Sequence, residues 1–74
     1  MNNVTVTVSS VTYAIKARRL LWRAKIQSKL VKLDPNQNEN GCSYGVVFPA
    51  ADLYSAVMEL KNNEIPYHLL NEEK

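Results

Sequence analysis

The stretch VTVTVSSVTYAIKARRLL, residues 4–21, changes its apolar period once, and that change constrains the fold more than any other feature of the chain. Val4 to Val8 alternates β-branched apolar and polar residues with a period of two, which marks a strand with one covered face. Ser9 or Ser10 then supplies a side-chain oxygen that caps a helix by accepting a hydrogen bond from a first-turn N–H. Beyond them the period is helical: Tyr13, Ala14, Ala17, Leu20, Leu21 and Ala24 share one face, with Lys16, Arg19 and Arg23 opposite. The spacing predicts a helix running to about Lys25.

The remaining segments continue the pattern. Ile26 to Leu33 reads as a weaker second strand whose lysines suit an exposed edge, where charge discourages pairing with foreign strands. Asp34 to Gly41, DPNQNENG, is turn chemistry. Cys42 to Phe48, CSYGVVF, predicts a third, central strand. Pro49 is expected to open the next helix, where its missing N–H is harmless, and Leu53, Ala56, Val57 and Leu60 follow at i, i+3, i+4 and i+7. That helix ends near Asn62 and Asn63, and PYHLL supplies a short last strand, with Pro66 favouring an edge. The order β-α-β-β-α-β implies an α+β, ferredoxin-like domain: an antiparallel four-stranded sheet of order 4-1-3-2 with two helices on one face.

A chain of 74 residues is one domain, taken here as residues 1–74 with a core of about 4–70. Domains of this size bury only roughly 60% of the surface their unfolded chain exposes. A lone cysteine forms no internal disulfide, so association between copies, as in a homodimer, is an available source of stability. The N-terminus lacks the basic start and apolar core of a signal peptide, and no apolar run reaches the roughly 20 residues of a membrane span. The expectation is a cytoplasmic protein without membrane contact. The formal net charge of +2 hides a division of sign. Up to Lys32 every charged side chain is basic (Lys16, Arg18, Arg19, Arg23, Lys25, Lys29 and Lys32), and all the acids follow it. The first half therefore attracts an anionic partner, or else is a solvated helix face balanced by the second half.

In the expected topology Cys42 starts strand three at the sheet end that carries Ser9, Ser10 and the first turn of helix one. Two readings stay open. Unpaired N–H groups and the positive helix end favour a thiolate there, which is the nucleophilic form of cysteine; otherwise Cys42 packs as a small hydrophobe. Side-chain alternation sets Cys42, Tyr44, Val46 and Phe48 on one face, expected to be the helix side, and Ser43, Gly45 and Val47 on the other. Ser9, Ser10, Gly41 and Ser43 are the residues expected to surround and favour the thiolate.

The sequences V-S-S-V-T-Y-A-I-K-A-R-R-L-L, the lone Cys42 at the end of a polar loop, Y-G-V-V-F-P and D-L-Y-S-A-V-M-E-L-K before N-N-E-I-P-Y resemble the small selenium/sulfur carrier-like proteins, from about Val4 to Leu70. The resemblance implies a compact ferredoxin-like domain whose Cys42 holds sulfur or selenium as a persulfide or perselenide. It also implies a partner, a sulfur or selenium donor protein. Ser9, Ser10 or Thr12 would donate hydrogen bonds to the thiolate or the terminal chalcogen.

Two other classes compete. A non-catalytic interaction or dimerisation module is suggested by Ile15 and Trp22, which lie opposite the core face of helix one beside Arg18 and Arg19, a combination common at interface anchors. Tyr54 and Met58 form a similar off-core pair on helix two. Thr5, Thr7 and Val47 would make the open sheet face a dimer surface. An RNA-binding domain shares the fold, and YGVVF echoes the third-strand motif of such domains, but strand one carries no ring for stacking a base. Nucleic acid is therefore not the expected partner. His68 lies at least one strand from Cys42, the acids of helix two lack the spacing of metal ligands, and Gly41 and Gly45 do not make a phosphate loop. No metal, no cofactor and no self-contained enzyme are expected.

Overall fold

The computed structural model describes residues 2–34, 36 and 42–70. Its elements are β1 (Asn3–Val8), α1 (Val11–Arg23), β2 (Lys29–Lys32), β3 (Tyr44–Pro49), a 3₁₀ turn (Ala50–Asp52), α2 (Leu53–Asn62) and β4 (His68–Leu69). The four strands form one antiparallel sheet with neighbours in the order β2-β3-β1-β4. Read from the β4 edge, that succession is 4-1-3-2. The chain is thus an α+β protein.

Pairing of β1 with β3 runs from Asn3 opposite Pro49 to Val8 opposite Tyr44. On one face Val6, Val8, Val46 and Phe48 join Ala14, Ala17 and Leu21 of α1 and Ala56 and Leu60 of α2 in a single buried cluster, against which Tyr44 also packs. Both helices therefore cover the same side. Alanine at three of these helix positions lets the helix backbones approach the sheet and each other closely. Alternation places Thr5, Thr7, Gly45 and Val47 on the opposite side, as the sequence implies. Thr5 and Thr7 are nevertheless buried within the single chain, and the Thr7 hydroxyl donates to the His68 carbonyl at 3.4 Å. Leu33 lies over Gly45, where an added Cβ would meet Leu33 Cδ1 and the Val6 carbonyl oxygen at 3.1 Å and Thr5 Cγ2 at 3.2 Å. The two threonines thus do not provide the open dimer surface expected of them.

Both helices end in the same way. After α1 the Lys25 N–H donates to the Trp22 carbonyl at 2.9 Å and the Ile26 N–H to the Leu21 carbonyl at 2.8 Å. After α2 the Glu64 N–H donates to the Lys61 carbonyl at 3.1 Å and the Ile65 N–H to the Leu60 carbonyl at 3.0 Å. These are two Schellman motifs, each completed by a buried isoleucine beside the buried leucine five residues before it. The left-handed position is held by Lys25 (φ 63°) and Glu64 (φ 58°) instead of glycine.

Several expected boundaries shift for physical reasons. Helix α1 stops at Arg23 because the turn begins at Ala24. Ile26 leaves the expected second strand, since it plugs the base of α1, and β2 starts only at Lys29. Pro49 ends β3 instead of opening α2: its extended backbone (φ −64°, ψ 140°) suits a strand end, and Ala50 N–H donates to the Asn2 carbonyl at 2.9 Å. Cys42 and Ser43 precede β3, and β4 is reduced to two paired residues. The turn after β2 begins with the Asn36 N–H donating to Asp34 Oδ1 at 2.9 Å, the side-chain turn that the Asp-Pro-Asn start implies.

The left-handed positions give a direct test. An L-residue pays roughly 1–2 kcal/mol there, while glycine returns about 0.4–1 kcal/mol through unfolded-chain entropy. Lys25→Gly and Glu64→Gly should each raise the urea-unfolding free energy by about 0.5–1 kcal/mol, and Glu64→Val should lower it. Destabilisation by both glycine variants would show that these turns are not strained.

Candidate functional site

The β1–β3 register fixes the surroundings of Cys42. Two residues beyond the Val8–Tyr44 pair, one strand leads to Ser10 and the other back to Cys42. Cys42 thus stands at the sheet end where α1 begins. Leu33 N–H donates to the Ser43 carbonyl at 2.7 Å, which ties the end of the β2 ladder to the residue after Cys42. Cys42 is 7% exposed, and the contiguous core cluster of described residues does not include it.

Ser10, not Ser9, caps α1. Its extended backbone (φ −150°, ψ 161°) turns the chain into the helix, and its Oγ accepts from the Tyr13 N–H at 3.3 Å. No acidic residue sits in the first turn, so the helix itself supplies no carboxylate to offset its positive end. Ser9 is exposed, Ser43 is half-buried, and Gly41 lies outside the described residues. Thr12, in the first turn, is exposed. His68 belongs to β4, with β1 between it and β3, so it is not paired with Cys42 across adjacent strands. Among the described residues no group of three or more His, Cys, Asp or Glu is arranged to hold a metal ion. No helix among them is long and apolar enough to cross a membrane.

A second feature lies on the outer side of α1. Ile15, Arg18, Arg19, Trp22 and Arg23 line an open groove of about 740 Å³, together with Gln27 and Ser28. Trp22 is 76% exposed. Sequence spacing singled out the first four of these residues. It missed Arg23, which follows Arg19 by one helical turn, and the Gln27–Ser28 segment, which the Schellman turn brings back alongside the helix. Tyr54 and Met58 are exposed on α2 but do not line this groove, so the expected interface residues divide between two surfaces. The RNA-like reading finds no Tyr, Phe or Trp on the sheet side away from the helices among the described residues, because Tyr44 packs against the core.

The sequence model of the family described as "Putative Se/S carrier protein-like" matches residues 3–70. The chain belongs to this family. Its match begins with β1 and ends just after β4, so it takes in every element of the fold, Cys42 and the α1 groove. Comparisons with curated proteins and with solved structures gave no match.

The cap assignment is testable apart from any chemistry. Ser10→Ala should cost about 1 kcal/mol of stability, whereas Ser9→Ala should stay within about 0.5 kcal/mol of the parent. Denaturant unfolding of the two variants measures the difference, and equal losses would remove Ser10 from its special position.

Proposed function

We propose that this protein carries sulfur or selenium on Cys42, acting as a relay and not as a complete enzyme. The observation that carries the reading is the position of the chain's single cysteine, level with the Ser10 cap at the start of α1, in a member of the Se/S carrier-like family. The element order and sheet neighbours support a ferredoxin-like assignment for the scaffold, and a cytoplasmic location fits the reduced thiol such a relay needs.

The chemistry requires one thiol. The Cys42 thiolate attacks the terminal sulfur of a donor persulfide, R–S–SH; a new S–S bond forms at Cys42, the donor S–S bond breaks, and the donor departs as the thiolate R–S⁻. Cys42 then holds the persulfide until the next nucleophile attacks its outer sulfur. The selenium version replaces that outer atom alone. Helix α1 contributes the Val11 and Thr12 backbone N–H groups of its first turn, which carry partial positive charge toward an anion at this end. Burial has a consequence for the rate. At 7% exposure the sulfur is screened in the closed form, so transfer proceeds through a local opening around Cys42 that leaves the β1–β3 core folded.

Incubation of the native protein with glutathione persulfide should add one sulfur atom at Cys42 by intact-mass measurement, and Cys42→Ser should abolish the adduct. Alkylation of Cys42 by iodoacetamide should be slower than that of an exposed thiol yet much faster than global unfolding. A thiol that reacts only at the global unfolding rate, with no adduct from the native state, sinks the carrier reading.

A further inference from the structure

We infer that the α1 groove is a docking site for an acidic segment of a partner protein that brings an apolar side chain to Trp22. The inference does not rest on the chemistry of Cys42. Three guanidinium groups, from Arg18, Arg19 and Arg23, line the groove together with the exposed Trp22 indole and Ile15, and among the described residues no carboxylate lines it. Tryptophan and arginine together are the side chains most enriched where binding energy concentrates in protein interfaces. Arginine also pairs with carboxylates in two parallel hydrogen bonds, a geometry that a chain of lysines would not offer.

The shape and charge select this occupant over others. A bilayer surface meets a convex basic face, whereas this feature is a groove of about 740 Å³ lined also by Gln27 and Ser28. Single-stranded RNA needs a basic track with several stacking rings; here one ring stands in the groove, on a protein of net charge only +2. A second copy offers its exposed Tyr54 and Met58 with Glu59 beside them, but Lys61, one turn from Met58 on the same helix, offsets that single carboxylate against three arginines, and self-association is read directly by sedimentation. An acidic protein segment with an apolar side chain pairs with the cations and covers the exposed Trp22 and Ile15 at once.

Trp22 is the only tryptophan, so its fluorescence reads the groove directly. The full chain is titrated with a synthetic peptide carrying leucines at i, i+3, i+4 and i+7 separated by glutamates. The expected result is a saturable shift of emission to shorter wavelength that weakens with added salt. Arg18→Glu combined with Arg23→Glu, both exposed and so compatible with folding, should weaken binding at least about tenfold, while Cys42→Ala leaves it unchanged. The proposal is overturned if the acidic peptide gives no saturable shift or if the same peptide with lysines gives an equal one. It is also overturned if oligouridylate or phosphatidylglycerol vesicles bind the groove in preference to the peptide. Sedimentation showing self-association that the arginine reversals abolish would assign the groove to a second copy instead.

Discussion

The β1–β3 ladder is the constraint on which the rest of the molecule depends. Its six paired positions set Val4, Val6 and Val8 beside Phe48, Val46 and Tyr44 on the helix side. A slip of one residue would exchange these for Thr5, Thr7, Gly45 and Val47 and leave the helices facing hydroxyl groups and a gap. The same register carries Cys42 to the level of Ser10, so the core and the thiol position are specified together. The outer strands add less: β2 pairs over four residues, and β4 over two. Exposed Lys29 and Lys32 keep the β2 edge charged and resistant to pairing with another sheet.

The helices meet this sheet because each is turned back by the same device. Leu21 with Ile26 and Leu60 with Ile65 close the bases of α1 and α2, and both isoleucines are pulled into the core as the chain reverses. The two halves of the chain share this leucine-to-isoleucine spacing although they show no longer repeat. Its presence explains why the fold closes without a glycine at either helix end: contact between the paired apolar side chains holds Lys25 and Glu64 in the left-handed region.

Much of this architecture was legible in the sequence because it follows from period. The alternation of Val4 to Val8 and the helical spacing of Ala14, Ala17 and Leu21 state which faces are covered, and Tyr44 falls on the helix side as parity requires. What period does not state is where a side chain goes once regular structure ends. Ile26 reads equally well as a strand residue or as a helix plug, and only the Schellman hydrogen bonds separate the two. Pro49 has a backbone angle that serves a strand end or a helix start, and its pairing opposite Asn3 chooses the strand. The burial of Thr5 and Thr7 depends on neighbours such as Leu33 lying over the sheet, which alternation along a strand does not reveal. Cys42 combines both cases. Its level in the sheet follows from register, but its 7% exposure follows from what covers it.

Helix α1 links the two features proposed to act. Its 13 residues span about 20 Å, with the Cys42 end at its start and the Trp22 groove along the outer face of its remaining turns. Along this length the helix carries no acid, so its first-turn N–H groups and its arginines attract negative charge by separate means: the dipole acts at one end, and side chains act along the outside. A protein segment held in the groove would lie within about one helix length of Cys42, on a different part of the helix from the sheet end that carries the thiol. On the two proposals, docking and chalcogen transfer would be combined in one encounter yet be weakened independently, since one would depend on the Arg18–Trp22–Arg23 surface and the other on the Ser10–Cys42 level of the β1–β3 register.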